Sequence, residues 1–296
     1  MDDRKMMVLV NPNAGRGSYR TELGHVLRVL CDGGWEPTVF FTREQGEAPL
    51  LVQARAADFQ RVVCLGGDGT LSEVAAGMMR SSVRRPIGYI PLGTANDVAQ
   101  TLGLSAVPAE AAEQILDGSP MPYDIGRFGE DSYFTYIAAF GAFTEVSYET
   151  PQESKQALGH MAYMLEALRQ LPHLTAYRAR VDYDGGSLEG NFVFGAVTNS
   201  TSVAGMVKLD GEAVDLADGM FEVLLVRMPQ DLLDLGDIVS AVMAMDFSGP
   251  CVSFLRSRAV RFTFDDPVAW TRDGEDGGRH REALIRNCHP GVELIV

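Results

Sequence analysis

Residues 61–73 constrain the fold of this chain more than any other stretch, and they read RVVCLGGDGTLSE. The apolar run at 62–65 is typical of a buried parallel strand. After the glycines, apolar residues recur at helical spacing, at positions 71, 74, 75 and 78. The pattern therefore predicts a strand, a glycine turn and a helix, in that order.

This glycine turn favours a bound anion. Glycine lets the backbone approach a ligand closely, and the start of a helix presents free N–H groups and the positive end of its dipole. Asp68 inside the turn would repel a phosphate, so it is better explained as a residue that holds a divalent cation or orients a hydroxyl group. The alternative is an ordinary tight connection between a strand and a helix.

The overall composition limits the classes of partner. With 46% hydrophobic residues over 296 positions, the chain suits one large or two ordinary globular domains. Its net charge of −15 argues against nucleic acid as a partner and against electrostatic docking on an anionic membrane, so membrane contact has to be local and apolar. The four cysteines are scattered, which suits a reducing compartment, and no apolar run approaches the ~20 residues of a membrane span. We therefore expect a cytoplasmic protein, with at most peripheral contact at the membrane.

Strand-like and helical patterns alternate over residues 1–126. Strand-like apolar runs lie at 6–10, 35–41, 62–65, 87–90 and 121–125, with helical spacing between them. This alternation predicts a doubly wound parallel α/β domain that binds a nucleotide. The loops at the carboxyl ends of its strands are expected to line one crevice.

The period changes over residues 127–296. Apolar and polar residues alternate along several runs, for example at 177–183 and 260–264, which is typical of strands with one buried face. Helical spacing appears at 155–171 and 232–242. This half is therefore predicted to be a mostly antiparallel β-sandwich domain with one or two helices.

Three loops of the first half, at 11–17, 66–70 and 93–97, combine glycine with small hydrogen-bonding side chains. The residues that would allow close approach or donate to phosphate and ribose oxygens are Asn11, Gly66, Gly67, Gly69, Thr70, Gly93, Thr94 and Asn96. Three such loops at one sheet edge predict a nucleotide crevice, and merely tight connections are the alternative. Neither a Walker-type phosphate loop nor a complete dinucleotide fingerprint occurs.

Carboxylates form a second group of candidate catalytic residues. Asp68, Asp97 and Asp124 lie at predicted strand ends or loops of the same sheet. The sequence Asp-Gly-Glu at 273–275 is either a hairpin turn or an acidic site, and 215–220 is either a turn or an oxygen-rich metal loop. Spacing alone does not separate these alternatives. The five histidines have no ligand spacing, so we interpret them as surface or helix residues.

Taken together, these motifs resemble the diacylglycerol kinase catalytic family, a group of soluble bacterial lipid kinases to which the sphingosine kinases are related. The resemblance is most specific in the first half and runs nearly end to end. The segments that carry it are 11–17, 66–73, 91–97, 123–126, 155–163, 218–219 and 273–275.

The resemblance implies an ATP-dependent kinase that phosphorylates a lipid hydroxyl, with ATP held between the α/β domain and the β-sandwich. The positions that match the nucleotide site of the family are Asn11, Thr42, Gly66, Gly67, Gly69, Thr70, Glu73 and Thr94. The implied partners are ATP and a lipid that is reached at the membrane surface.

The resemblance also implies roles for the acidic residues. Glu275 would be the general base that takes the proton from the lipid hydroxyl. Asp68 and Asp124 would belong to an acidic network linked to Mg2+. The second domain would thus deliver the base across the cleft to the nucleotide.

A structural Mg2+ is implied at the loop 215–220. The carbonyl oxygens of Asp215 and Met220 and the carboxylate of Asp218 would hold it. The chain departs from the family pattern just before this loop, with Ala-Gly-Met in place of a glycine run at 204–206 and Glu-Ala in place of Pro-Ala at 212–213.

Two other functions stay open. NAD kinases and phosphofructokinases share a Gly-Gly-Asp-Gly core, so a kinase of a soluble metabolite is one alternative, although the Gly-Thr-Ala-Asn-Asp loop at 93–97 speaks against it. A catalytically inactive regulator that binds a nucleotide or a lipid is the other. The sequence leaves the identity of the lipid open, and it is compatible with a homodimer.

Overall fold

The computed structural model describes residues 4–17, 19–142, 174–200, 202–203, 207–208, 215–244, 246–247 and 249–296. The predicted helix at 155–171, the motif at 155–163 and the departures at 204–206 and 212–213 lie outside these residues. In the described part of the chain, no helix has both the length and the apolar composition needed to cross a membrane.

A parallel sheet forms the framework of the first half. Its strands are β1 (Lys5–Val10), β2 (Glu36–Phe41), β3 (Arg61–Gly66) and β4 (Ile87–Pro91), and they pair in the order β2-β1-β3-β4. β1, β3 and β4 are buried on both faces, which is why their sequences are continuous apolar runs rather than alternating ones. All four predicted strands are confirmed, with ends that differ by one residue at most.

Helices cover both faces of this sheet. They are α1 (Tyr19–Asp32), α2 (Glu47–Arg55), α3 (Asp68–Arg80), α4 (Asp97–Thr101) and α5 (Pro108–Asp117). α1 and α5 pack on one face, where Leu30 and Ile115 are fully buried, and α2, α3 and α4 pack on the other, where Val52 and Val74 are fully buried. Each such side chain stabilises the fold by about 1.5–3 kcal/mol.

From Pro120 onward the fold is rich in antiparallel strands, which agrees with the prediction for residues 127–296. Its elements are β5 (Pro120–Phe128), β6 (Ser132–Phe134), β7 (Ile137–Gly141), β8 (Tyr177–Tyr183), β9 (Gly186–Thr198), β10 (Ser202–Val203), β11 (Val207–Lys208), β12 (Phe221–Arg227), α6 (Leu232–Ala244), β13 (Val252–Ser257), β14 (Ala259–Arg272) and β15 (Glu275–Ile295). α6 confirms the predicted helix at 232–242. Aromatic rings fill the core of this half, and the Phe140 and Phe262 ring centroids lie 5.0 and 5.1 Å from that of Trp270.

β5 departs from the predicted parallel sheet, because it pairs antiparallel with β15, with Tyr123 opposite Val292. β15 itself lies beside β4, where Leu294 pairs in parallel with Ile87. The C-terminal strand therefore fills the edge that a further parallel strand would occupy. The sequence patterns at 283–286 and 292–296 predict separate short strands, but they belong to this one strand.

β15 connects the two halves of the molecule. It begins in a hairpin with β14 and ends beside β4. Within the described residues, a single sheet of 13 strands runs through both halves. The turn between β14 and β15 therefore begins a strand that pairs with β4 of the first half at its other end.

Candidate active site

β3 ends and α3 begins inside the glycine turn, as predicted. Gly67 is the N-cap residue of α3, and no side chain caps that helix end. The first N–H groups of α3 and its positive dipole end are therefore available to an anion. A Cβ atom on Gly93 would lie 2.8 Å from Gly67 Cα, so a side chain at position 93 would push the second and third loops apart.

The first loop meets the second at Thr70. Asn11 Nδ2 donates a hydrogen bond of 2.9 Å to Thr70 Oγ1, and Thr70 is buried in the first turn of α3. Thr42, which is also buried, follows β2 and donates its backbone N–H to the Val10 carbonyl at 3.0 Å. Two of the residues predicted to hold a nucleotide, Asn11 and Thr42, thus follow directly after adjacent strands, and a third, Thr70, lies in the first turn of the helix after β3.

Asp68 joins the second loop to the third. It is 7% exposed, and its carboxylate accepts hydrogen bonds from the backbone N–H groups of Asp97 (2.9 Å) and Val98 (3.2 Å), so it caps the start of α4. The Tyr89 hydroxyl donates to the same carboxylate at 3.4 Å. Burial raises the pKa of Asp68 to about 6, although the two N–H groups oppose the increase.

Asn96 holds the third loop in a tight turn. It adopts a left-handed φ of 53°, its Oδ1 accepts from the Gly93 N–H, and its Nδ2 donates to the Gly93 carbonyl, both at 2.9 Å. Thr94 between them is exposed. Asp97 is half-buried, and burial together with the negative charge of Asp273 raises its pKa.

The β14–β15 hairpin brings Glu275 to the glycine turn. Asp273 and Gly274 have positive φ angles of 47° and 82°, as the two central residues of a type I′ turn require. A Cβ atom added to Gly69 would lie 2.8 Å from Glu275 Oε1. The exposed carboxylate of Glu275, in the second half, therefore lies next to the turn between β3 and α3.

The loop after β2 contacts two carboxylates at this edge. Gln45 Nε2 donates a hydrogen bond to Glu275 Oε2, and the Gly46 N–H donates to Glu73 Oε1 at 2.6 Å. Burial raises the pKa of the half-buried Glu73, and the charge of Glu275 adds to the increase. Glu73 therefore ties the loop to α3 and lies close to Glu275.

Asp124 lies in a different environment, beside the loop 215–220. Its carboxylate is fully buried and accepts from the Gly219 N–H (2.7 Å), Asn287 Nδ2 (3.2 Å) and His289 Nδ1 (2.7 Å). All three partners belong to the second half. His289 is exposed, as expected of a surface histidine, but its ring also pairs with a carboxylate that lies 165 residues earlier in the chain.

The loop 215–220 offers hard oxygen atoms, the ligands that Mg2+ prefers, but Arg256 competes for them. Asp218 Oδ1 accepts from the Met220 N–H at 2.9 Å, and Asp218 Oδ2 is paired with the Arg256 guanidinium. The Met220 carbonyl accepts from Asn287 Nδ2 at 3.2 Å, and Asp215 is exposed. No three His, Cys, Asp or Glu side chains of the described residues converge on a metal position, so a cation here would depend on backbone carbonyls. The donor atoms fit Mg2+, provided that Arg256 leaves Asp218.

Arg256 is a cation that the sequence does not single out. Its Nε also donates to Glu222 Oε1 at 3.2 Å, and Glu222 is only 1% exposed. Burial raises the pKa of Glu222 to about 7, while the positive charge of Arg256 opposes the increase. One guanidinium therefore bridges two carboxylates at this loop.

The sequence did not single out Gln45, and it gave Asp273 no role of its own. Gln45 gives no signal, because its partner Glu275 lies 230 residues away. Asp273 was visible as part of a turn, but its buried carboxylate is a hydrogen-bond acceptor for three consecutive residues of the chain, Thr135, Tyr136 and Ile137. In the sequence, the Asp-Gly pair indicates only a two-residue hairpin turn at this position.

Two family models match the chain. One, described as "Diacylglycerol kinase catalytic domain", covers residues 5–128. The other, described as "YegS C-terminal NAD kinase beta sandwich-like domain", covers residues 139–295.

Curated relatives and solved structures are similar along nearly the whole chain. A diacylglycerol kinase of Staphylococcus carnosus is 31% identical over 93% of this chain and 90% of its own length, and one of Bacillus subtilis is 30% identical over 93% and 91%. A crystal structure of a diacylglycerol kinase from Bacillus anthracis str. Sterne superposes with a TM-score of 0.77 at 20% identity, covering 100% of this chain and 97% of that one. A second structure from the same organism has a TM-score of 0.80 at 24% identity, with 99% and 95% covered. At these identities the two structures establish the fold alone.

Proposed function

Because the chain belongs to the diacylglycerol kinase catalytic family, we propose that it transfers the γ-phosphate of ATP to the hydroxyl group of diacylglycerol or a related lipid, with Glu275 as the general base. Membership of the family makes the chain a kinase. The finer assignment is supported above all by one observation, the contact of Glu275 with the glycine turn at Gly69.

The nucleotide is proposed to lie across the three loops of the first half. The uncapped start of α3 supports phosphate binding, since its N–H groups and dipole favour negative charge. Asn11, Thr42, Thr70, Thr94 and Asn96 would position the phosphates and ribose. The other residues in the proposed site are Gly66, Gly67, Gly69, Glu73 and Gly93.

In the proposed reaction the lipid hydroxyl lies between Glu275 and the γ-phosphate. Glu275 accepts the hydroxyl proton while the hydroxyl oxygen forms a bond to the γ-phosphorus. The bond from that phosphorus to the bridging oxygen of ADP breaks, so the products are a phosphorylated lipid and ADP. Glu275 then releases the proton to water, which reaches it because its side chain is exposed.

Acidic residues and Mg2+ complete the proposal. Mg2+, when bound, supplies positive charge that offsets the charge developing on the phosphates. Asp68 in the glycine turn accepts a hydrogen bond from the Asp97 N–H of the third loop, and Asp124 joins the loop 215–220 to β5. The residues that would hold a second, structural Mg2+ are Asp215, Asp218 and Met220.

The architecture is part of the proposal. We divide the chain into an ATP-binding domain at 1–126 and a β-sandwich domain at 127–296, and the helices on both faces of β1–β4 support a doubly wound first domain. The protein would meet its lipid at the membrane surface from the cytoplasm. Phe41 and Leu50, which are 47% and 62% exposed, flank the loop that carries Gln45 and offer a local apolar contact to a bilayer.

The proposed function is tested by phosphate transfer from labelled ATP in the presence of Mg2+. The lipid acceptors are mixed micelles of diacylglycerol, phosphatidylglycerol or a long-chain base. NAD and fructose 6-phosphate are tested separately as soluble acceptors. Labelled lipid from at least one micelle and no labelled soluble product is the expected result. Phosphorylation of NAD alone, or ATP binding without transfer to any acceptor, would contradict the proposal.

A further inference from the structure

Asp273 is a buried carboxylate to which the proposed mechanism gives no role. It is 6% exposed, and four donors from three consecutive residues surround it. Its Oδ2 accepts from the Thr135 N–H (2.6 Å) and Thr135 Oγ1 (2.9 Å), and its Oδ1 accepts from the N–H groups of Tyr136 and Ile137, both at 3.0 Å. A carboxylate with this many donors is fixed in place.

The backbone around Asp273 is fixed as well. Its N–H donates to the Ile137 carbonyl at 2.9 Å, and its φ of 47° is a left-handed conformation that Asp tolerates better than most residues. Three residues earlier, Trp270 is 1% exposed and packs against Phe140 in the aromatic core. The turn that carries Glu275 is therefore held on the side of the second half by both a hydrogen-bonded carboxylate and a buried ring.

Asp273 also faces the first half. The Ser72 side chain, one turn into α3, lies near the Asp273 carboxylate: burial raises the pKa of that carboxyl group, and Ser72 opposes the increase. Burial raises the pKa values of Asp68 and Asp97 in the second and third loops, and the negative charge of Asp273 adds to both increases. The Asp273 carboxylate thus joins the turn that carries Glu275 to the segment 135–137, and it lies near the helix that Glu275 faces.

We infer that Asp273 is a positioning residue for the proposed general base: it locks the hairpin turn to the segment 135–137, and so holds Glu275 against Gly69. The inference rests on the proposed function of Glu275. Asp273 does not itself reach the reacting atoms, because its carboxylate is enclosed by protein donors.

A double-mutant cycle of Asp273→Asn and Glu275→Gln tests this role by steady-state kinetics. Asp273→Asn alone should lower kcat about 10- to 100-fold and change the KM for ATP less than about 2-fold, because only the base is displaced. In the Glu275→Gln background, Asp273→Asn should lower the remaining kcat less than about 3-fold. An equal loss in both backgrounds, or no loss of kcat in the first, would overturn the inference.

Thr135→Val is a milder probe, which keeps the test decisive if a variant of Asp273 does not fold. It removes one of the four donors to Asp273, and a kcat loss of about 3- to 10-fold is expected. Thr198→Val is the matched control: Thr198 is equally buried, and its hydroxyl donates to the Tyr136 carbonyl at 2.6 Å, not to Asp273. Equal kcat values for the two Thr variants would overturn the inference.

Amide hydrogen exchange separates failure of this inference from failure of the proposed function. Asp273→Ala removes the acceptor for the N–H groups of Thr135, Tyr136 and Ile137, so their exchange should accelerate at least about tenfold. This readout does not need lipid kinase activity. If the wild-type protein phosphorylates no lipid, the proposed function fails, but the exchange measurement still tests the hydrogen bonds of Asp273. Unchanged exchange in Asp273→Ala would overturn the inference that Asp273 locks the segment 135–137.

Discussion

Glu275 Oε1 lies 2.8 Å from the position that a Cβ atom on Gly69 would occupy, although 206 residues of chain separate the two. This approach is what the third glycine of the Gly-Gly-Asp-Gly turn permits, because any side chain at position 69 would displace the carboxylate. The glycine turn is thus shaped both for an anion at the start of α3 and for a carboxylate delivered by the second half.

Replacement of Gly69 by Ala should displace Glu275 without destroying the fold. The added methyl group would overlap Glu275 Oε1, so we expect kcat to fall about 10- to 100-fold, since a displacement near 1 Å in a reacting group has an effect of this size. Steady-state phosphate transfer to the lipid measures the change. Gly24→Ala in α1 is the matched control, because no atom lies within 4 Å of its added Cβ, and it should leave kcat unchanged and stabilise the helix by about 0.5–1 kcal/mol. Equal kcat for both variants would contradict the assigned contact.

The raised pKa of Asp68 predicts a pH-dependent stability. Its pKa is about 6 in the folded protein against an ordinary value of 3.8, so the folded state holds the proton more tightly. The resulting stabilisation is fully present below about pH 4 and is lost as the pH rises through about 6, on the order of 2–3 kcal/mol in all. The Asp68→Asn variant has no ionisable group at this position, so its unfolding free energy should not show this decrease with pH.

Urea unfolding of the wild type and of Asp68→Asn between about pH 4 and 7.5, without Mg2+ or nucleotide, measures the difference. The unfolding free energy of the wild type should decrease relative to that of the variant as the pH rises through this interval. A difference that is constant with pH would show that the folded pKa of Asp68 is not raised.

The ion pair between Arg256 and Asp218 predicts that the guanidinium competes with Mg2+ for the Asp218 carboxylate. In Arg256→Met the carboxylate of Asp218 loses its guanidinium partner and becomes free for a cation. Mg2+ without nucleotide should then raise the melting temperature of the variant more than that of the wild type, and a tenfold gain in affinity corresponds to about 1.4 kcal/mol. Arg261→Met, which removes an exposed pair with Glu282 in the same half, is the control and should respond to Mg2+ like the wild type. No Mg2+ effect on Arg256→Met would argue against a structural Mg2+ at this loop.

Local patterns in the sequence were sufficient to predict most strands and helices of the first half. β3, the glycine turn and α3 follow from the thirteen residues 61–73 and from the helical spacing that continues after them, because apolar spacing and glycines act locally. α2 begins at Glu47, three residues before its first leucine, because Gly46 with a left-handed φ of 83° ends the loop there. The strand predicted at 121–125 is the exception in this half, because it pairs antiparallel with β15.

Long-range pairing explains what the sequence could not predict. β15 runs unbroken for 21 residues, although its polar stretch at 276–281 and the Pro-Gly pair at 290–291 interrupt the apolar pattern, because β14 and β5 pair with it along its length. The contacts of Glu275 with Gln45, of Asp124 with His289 and of Asp218 with Arg256 join segments with no local relationship. The resemblance to a family identified Glu275, but not the neighbours that hold it.

The most direct test is a paired measurement on Glu275→Gln, of lipid phosphorylation by labelled ATP and of ATP affinity by calorimetry. The amide keeps the size of the side chain and its contact with Gln45 but cannot accept the proton. We expect kcat to fall at least about 100-fold while the Kd for ATP changes less than about 3-fold. Retention of most of the turnover, or equal loss of turnover and ATP binding, would contradict the assignment of Glu275 as the general base.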